Sequence, residues 1–519
     1  MAGKYASVLI EVGGIQSFIF ATGKLKEMIG ASQAMVALHD DFLPEIRREL
    51  NLHEVDEPAE GRDWIVIRQN AAGALRLLLA DEAKGKEFLT AFSSRALAQW
   101  PGLPLNGVLA QTDLDRESLD GCRKELSDKL ALQRASEPVA AGLKLLPFVE
   151  MANLDGLPAA GRDKRAYISW PSQVRRDQGL LEAADRRLKE NYDGHLKSIL
   201  PSNTTIKWCD DFAEMLKDRE QPRLGLIHID GNDLGHFFTQ ALEAGGQNNP
   251  ARMKELSREI DQANQEAFQA ALIKVVGEDL IQPETSWTEY RVPLRPLLRG
   301  GDDLTVLVRA DLALGFISAF VEKYEERMKE HGLSLGVGLL IMPPSYPFVK
   351  AWHLVEELCS SAKRLTLKDN PRPSSLDYLV LTGDVEADLG EHRRRTATAD
   401  DGSSRLTAKP FKLTKGFLAD FLKQAAEVIN ELPRSHTRGA LNDCRVGRHQ
   451  ADVAWRKLRD NLRAGLGGRH DQRRMSLERF DEIFEDGFFQ KNGATALADY
   501  LELADYISVG KEGHHADRA

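Results

Sequence analysis

Three aspartates in this 519-residue chain stand where they could hold a divalent metal: Asp230, Asp302 and Asp303. The last two follow a glycine pair, Gly300 and Gly301, in the run RGGDDLTVLV at 299–308, and lead into a stretch of strong strand character. Taken alone, Gly-Asp is ordinary hairpin chemistry, because glycine reaches positive φ at little cost and aspartate tolerates turn geometry. What turns a polar turn into a candidate site is an internal repeat.

Val8–Phe20 (VLIEVGGIQSFIF) and Leu226–Phe238 (LIHIDGNDLGHFF) overlay without a gap. Each is an apolar strand that reaches a glycine, Gly13 or Gly231, and passes into a helical pattern. A second pair follows in the same order: Gln69–Asp81 (QNAAGALRLLLAD) and Arg299–Asp311 (RGGDDLTVLVRAD). Both read as the tip and return strand of a hairpin that ends in Ala-Asp before an amphipathic helix. Asp81 and Asp311 are expected to be N-caps, and Gly332 a C′ stop. Apolar strands complete each copy, near 105–110 and at Leu335–Met342. Each copy therefore reads β-α-β-β-α-β, a ferredoxin-like unit.

The copies differ in their acids. Asp230 faces Val12, and Asp302 and Asp303 face Ala72 and Gly73. Three carboxylates kept together in one copy and lost together in the other have a common reason if they share a metal. In a ferredoxin-like unit the first strand and the central hairpin are neighbours, so the three acids fall on one patch. Hard oxygen ligands of this kind suit Mg²⁺ or Mn²⁺, which normally shares its shell with substrate phosphates. Such ions lower the pKa of an attacking hydroxyl and stabilise a leaving pyrophosphate. Gly300 and Gly301 would let a triphosphate approach the backbone. Gly231 and Asn232 open the next helix, where N–H groups can receive phosphate, while Asn232 or Asp233 also serves as its cap. Lys363, in the helical run 351–364 with Leu354, Leu358 and Ala362 on one face, is assigned to the phosphates; a lysine near a helix C-terminus also simply suits the dipole. This is the palm arrangement of nucleotidyl transfer. His228 and His236 flank it, but histidine is a poor Mg²⁺ ligand, and His39-Asp40 reads as the polar face of a helix.

The expected fold class is α+β: two ferredoxin-like palm domains, the first degenerate and the second with GGDD, plus a helical insert and a C-terminal helical domain. The expected bounds are 1–115 for the degenerate palm, 116–220 for a mostly helical insert, 221–390 for the catalytic palm, 391–410 for an exposed loop and 411–519 for the helical domain. Four scattered cysteines without a CxxC pair give no zinc ribbon and no disulfide framework. No apolar run is long enough to cross a bilayer, and MAGKYASVLIEV lacks signal-peptide character, so a cytoplasmic protein is expected. A net charge of −10 argues against a protein that mainly coats nucleic acid. Short basic clusters at 392–395 and 469–474 read as solvated surface.

These residues resemble the large polymerase/cyclase subunit of type III CRISPR effector complexes. The match lies in GGDD at 300–303, DGNDLG at 230–235, GGIQSFIF at 13–20, FVKAWHLVEELCSSAK at 348–363 and RLTAKPFKL at 405–413. The resemblance implies conversion of ATP to a cyclic oligoadenylate messenger in antiviral defence, with Asp230, Asp302 and Asp303 as metal ligands. It also implies that Gly13, Gly14 and Ser17 face a second nucleotide across the interface between palms. ATP or another NTP is the expected small-molecule partner, and RNA or CRISPR-complex subunits the expected macromolecular ones. The family's HD nuclease domain and the zinc-ligand cysteines between its palms are not recognised, so a shortened, free-standing relative is expected. Two readings stay open beside it: a template-using polymerase, and a nucleotide-sensing scaffold without turnover. Nothing in the sequence sets an oligomeric state.

Overall fold

The computed structural model describes residues 4–53, 64–67, 74–113, 119–136, 149–216, 222–244, 250–280, 289–301, 303–383, 388–464, 475–485, 487–504 and 506. Asp302, Ala72, Gly73, the basic run at 469–474 and the C-terminal tail lie outside the described residues.

The first repeat is a four-stranded antiparallel sheet of β1 (Lys4–Val12), β2 (Trp64–Ile67), β3 (Ala74–Leu79) and β4 (Leu105–Asp113), in the order β2-β3-β1-β4. Helices Leu25–Ala37 and Glu82–Gln99 supply the crossovers. Asp81 caps the second of these as expected, its carboxylate accepting from the Lys84 amide at 2.8 Å. Between the repeats lie helix Leu119–Ser136, a small hairpin of β5 (Ala159–Asp163) and β6 (Ala166–Ser169), further helical turns, and β7 (Thr205–Trp208).

The second repeat reproduces the same order. Strand β8 (Leu224–Gly231) leads into helices Leu234–Ala244 and Pro250–Leu280. Then come β9 (Glu289–Val292), which pairs in parallel with β7, the hairpin of β10 (Leu294–Gly300) and β11 (Asp303–Arg309), helix Ala313–Arg327, and β12 (Leu335–Met342). Its sheet runs β10-β11-β8-β12 and is extended by β13 (Ser374–Val380), parallel to β12, and β14 (Phe411–Leu413). All eight residues of β12 and all seven of β13 are buried, which explains the continuous apolar character of β12: both faces are covered.

The two repeats share a core. Phe20, just past the first glycine turn, stacks on Trp352 with centroids 4.7 Å apart and lies 5.3 Å from Phe348. Leu226, Leu298, Leu307 and Leu340 of the second sheet join Ile10, Val12 and Phe18 of the first in one apolar cluster. Among the described residues no helix is long and apolar enough to cross a membrane.

Two expectations are corrected. Asp311 does not cap a helix: its carboxylate takes two hydrogen bonds from Arg309, at 2.6 and 2.8 Å, and a short 3₁₀ turn, Ala310–Leu312, precedes the helix. The adjacent guanidinium outcompetes the backbone amides for those oxygens. Nor is 391–410 an exposed loop. It begins inside helix Leu389–Thr396, and Ala399, Leu406 and Lys409 are buried. The Lys409 ammonium reaches Glu502 at 2.5 Å and sits over the Tyr378 ring, so a polar composition conceals a packed segment. Phe411–Leu413 likewise belongs to the palm sheet rather than to a helical domain. Gly332 does stop its helix in the left-handed region, at φ 63°.

Candidate active site

Asp230 is the penultimate residue of β8, where the strand reaches the sheet's edge. Leu304 of β11 pairs with Ile229, so the next residue outward on each strand, Asp303 and Asp230, are neighbours across the ladder. Gly300 pairs with Asp303 at the hairpin mouth, and Gly301 adopts φ 61°, a conformation that requires glycine in a tight hairpin. The structure thus brings together four of the residues expected from the sequence: Asp230, Asp303, Gly300 and Gly301. A further residue holds the turn: Asn264, buried on helix Pro250–Leu280, donates its side-chain amide to the Gly301 carbonyl.

Lys363 arrives from helix Phe348–Thr366, whose Leu354, Leu358 and Ala362 are fully buried as the spacing predicted. Its ammonium donates to Asp230 and, at 2.8 Å, to the Gly231 carbonyl. It is drawn to carboxylate and carbonyl oxygens, which are hard donors for a cation. Two glycines of β12 allow this approach. A Cβ on Gly336 would lie 2.3 Å from Lys363 Cγ, and one on Gly338 would lie 2.3 Å from the Val355 carbonyl oxygen. The helix therefore lies directly on the strand, and the lysine stem crosses bare backbone. Arg372 ties the far end down, donating to Asp233 at 2.6 Å, to the Lys363 carbonyl at 2.7 Å and to Thr366 Oγ1 at 3.1 Å. Asn232 donates to Ser334 Oγ at 2.8 Å.

His228, Asp230 and Cys359 also bring possible ligand atoms within 4.8 Å of one another. This softer set fits a metal less well. Burial pushes the Cys359 thiol up to about 12, and the thiol donates to the Gly336 carbonyl at 3.3 Å. Burial holds His228 down at about 4, with Nδ1 3.1 Å from Thr305 Oγ1. A protonated thiol is a poor ligand. The oxygens of Asp230, Asp303 and the Gly231 carbonyl fit Mg²⁺ or Mn²⁺ better.

On the first sheet Gly14 starts helix Ile15–Ile19 at φ 61°, and Ser17 is exposed one turn along. Gly13 spends its amide on the Pro104 carbonyl at 2.7 Å. Arg134, from helix Leu119–Ser136, approaches this turn and pairs with Glu11 at 3.3 Å. Asn264, Arg372, Gly336 and Arg134 carry no motif. Only the two glycines at alternate positions of β12 signal a close approach in the sequence.

Residues 223–371 match the model of the Cas10/Cmr2 second palm domain. This segment is similar to a Cas10/Cmr2 second palm domain. Among solved structures, Csm1 of T. onnurineus is 15% identical, with a TM-score of 0.56 over 97% of this chain and 70% of that one. A Csm1–Csm4 cassette in complex with pppApApA is 14% identical, covering 96% of this chain and 69% of that one at a TM-score of 0.54. One in complex with cA4 is 13% identical, covering 96% and 70% at 0.53. At these identities the likeness speaks for the fold, which extends through both palms to the C-terminal helices. No curated protein sequence matches the chain.

Proposed function

We propose that this Cas10-like chain is a metal-dependent nucleotidyltransferase that converts ATP into a cyclic oligoadenylate and releases pyrophosphate, in type III CRISPR defence. The observation that carries the reading is the register that sets Asp303 and Asp230 side by side at the strand ends, with the Lys363 ammonium on Asp230 and the Gly231 carbonyl. Asp230, Asp302 and Asp303 would hold Mg²⁺ or Mn²⁺, which supplies charge neutralisation and an acidified hydroxyl. Gly300, Gly301, Gly231 and Asn232 line the approach for the triphosphate. Lys363 can exchange its carboxylate partner for a phosphate oxygen, an ammonium acting as a mobile point charge. Gly14 and Ser17, with Arg134 beside them, would receive the second nucleotide, while Gly13 shapes the turn. The adenosine compounds and Csm4 named with the Csm1 structures support ATP as substrate and a subunit of that kind as partner.

Purified chain incubated with ATP and Mn²⁺ should release pyrophosphate, with cyclic products visible by mass spectrometry, and Asp303→Asn should reduce the rate at least 100-fold. Tight ATP binding with no pyrophosphate, in the presence of a Csm4-type partner and RNA, would reject catalysis in favour of a sensing role.

A further inference from the structure

Arg299 stands immediately before the GGDD run, where an arginine could reach phosphate, yet strand alternation turns it away from the acids. It pairs with Leu304, whereas Asp303 and Thr305 lie on the other face of the sheet, with His228 and Asp230. On its own face Arg299 donates from Nη1 to the hydroxyl of Tyr192. Tyr192 is 1% exposed and belongs to the insert between the repeats, in the π-helical turn Lys189–Asp193 that continues helix Gln178–Leu188. A second arginine makes a matching tie: Arg295, as deeply buried, reaches Asp185 of that helix at 2.7 Å.

The two ties share one geometry. Asp185 and Tyr192 are about two helical turns apart, and so lie on one face over about 10 Å. Arg295 to Arg299 covers at most about 13 Å of extended strand, shortened by the bulge between Pro296 and Leu298. That bulge leaves Arg295 opposite Leu307 and Arg299 opposite Leu304, on opposite faces of the sheet. β10 is the edge strand, so the helix lies along its outer side and the arginines reach it from both faces. The helix also meets the first repeat, where Arg187 pairs with Asp40 at 2.6 Å. Beyond Gly300, Asn264 donates to the Gly301 carbonyl, and Phe268, one turn along the same helix, packs on Tyr192 with ring centroids 5.0 Å apart. Both neighbours of Gly300 are therefore held, and the hairpin that carries Asp303 cannot shift against Asp230 without disturbing Tyr192. We propose that Arg299 and Tyr192 are positioning residues that set the gap between Asp303 and Asp230, and through it the affinity for the divalent ion. The inference rests on the metal-site reading above and adds the insert helix as the part that tunes it.

The test is Mn²⁺ binding to the full chain, read from the free-ion signal by electron paramagnetic resonance, beside urea melts and pyrophosphate release. Tyr192→Phe and Arg299→Leu should each raise the Mn²⁺ concentration for half-occupancy about tenfold, the worth of one charge-assisted hydrogen bond. The double variant should lose no more than either single one, because both remove the same contact. Arg299→Lys, which keeps one donor, should recover part of the loss. Tyr192→Phe sheds a single oxygen, so it stays informative where Arg299→Leu fails to fold. The ATP KM at saturating Mn²⁺ should stay within about twofold of the wild type. Unchanged Mn²⁺ occupancy in folded Tyr192→Phe overturns the proposal, since a merely structural tie would move only the urea midpoint. A raised KM with unchanged occupancy in Arg299→Leu overturns it as well, because the guanidinium would then touch phosphate. Wild-type protein that binds no Mn²⁺ overturns it together with the metal reading. Shifted occupancy without pyrophosphate release supports the positioning and removes only the catalytic reading.

Discussion

Gly336 and Gly338 sit two residues apart on β12, facing the same helix, yet alanine should act differently at each. At Gly338 the new Cβ would stand 2.3 Å from the Val355 carbonyl oxygen and 2.7 Å from the Cys359 amide nitrogen, where ordinary contact begins near 3.4 Å. Both obstacles are backbone, so helix Phe348–Thr366 must retreat by about 1 Å. Overpacking of this kind costs about 1–3 kcal/mol, and the upper end applies because no rotamer change relieves it. At Gly336 the obstacle is Lys363 Cγ at 2.3 Å, part of a flexible stem. The lysine can swing aside for about 0.5–1.5 kcal/mol, but its ammonium then leaves Asp230 and the Gly231 carbonyl. A charge-assisted contact to phosphate is worth about 1.5–3 kcal/mol, so ATP affinity should fall roughly tenfold to a hundredfold. Denaturant midpoints and ATP calorimetry on the two single variants separate the effects: Gly338→Ala loses stability, while Gly336→Ala loses chiefly affinity. Gly336→Ala combined with Lys363→Ala should lose no more affinity than either alone, since both remove one interaction. A Gly338→Ala protein with the wild-type midpoint would refute the packing argument. Full additivity in the double variant would refute the role given to Lys363.

His228 and Arg393 give two further tests. Burial holds His228 at about 4 against an ordinary 6.5, so the unfolded chain binds the proton first on acidification. The stability involved is intact above about pH 6.5 and is lost as pH falls toward 4, by about 3 kcal/mol at 1.36 kcal/mol per pKa unit. Urea midpoints at pH 7 and 4.5 should converge in His228→Gln, and an unchanged pH slope would count against this cause. Arg393 pairs with Asp377, whose side chain is fully buried, donating to Oδ2 at 2.8 Å. Arg393→Ala should destabilise by about 3–5 kcal/mol by stranding that carboxylate. Adding Asp377→Asn should recover part of the loss, and no recovery in urea melts would argue for a packing role instead.

The order of strands and helices was readable because apolar periodicity is a local property, and the ferredoxin-like pattern then places β8 beside the hairpin. That is why Asp230 and Asp303 were expected together although 73 positions separate them. Residues that act through tertiary contact were not readable. Asn264 is one polar residue in a 31-residue helix, and its purpose is visible only where that helix crosses Gly301. Arg372 resembles any surface arginine until it spans Asp233 and the Lys363 carbonyl. Residues 391–410 looked solvent-facing from their polar composition, rich in Ser, Thr and Asp, which does not show that Lys409 meets Glu502, distant in sequence. Asp311 was misread for a local reason: a neighbouring Arg309 offers a stronger donor than an amide.

The stacking of Phe20 on Trp352 also bears on what a repeat without counterparts of Asp230, Asp302 and Asp303 contributes. Removing the first sheet would uncover Leu226, Leu298, Leu307, Leu340, Phe348 and Trp352 together, an apolar face that water penalises whether or not any nucleotide is ever turned over. Each copy is the other's solvent shield. The copy without counterparts of Asp230, Asp302 and Asp303 is held in place by its partner's greasy side, while its turn at Gly14 and Ser17 stays at the surface.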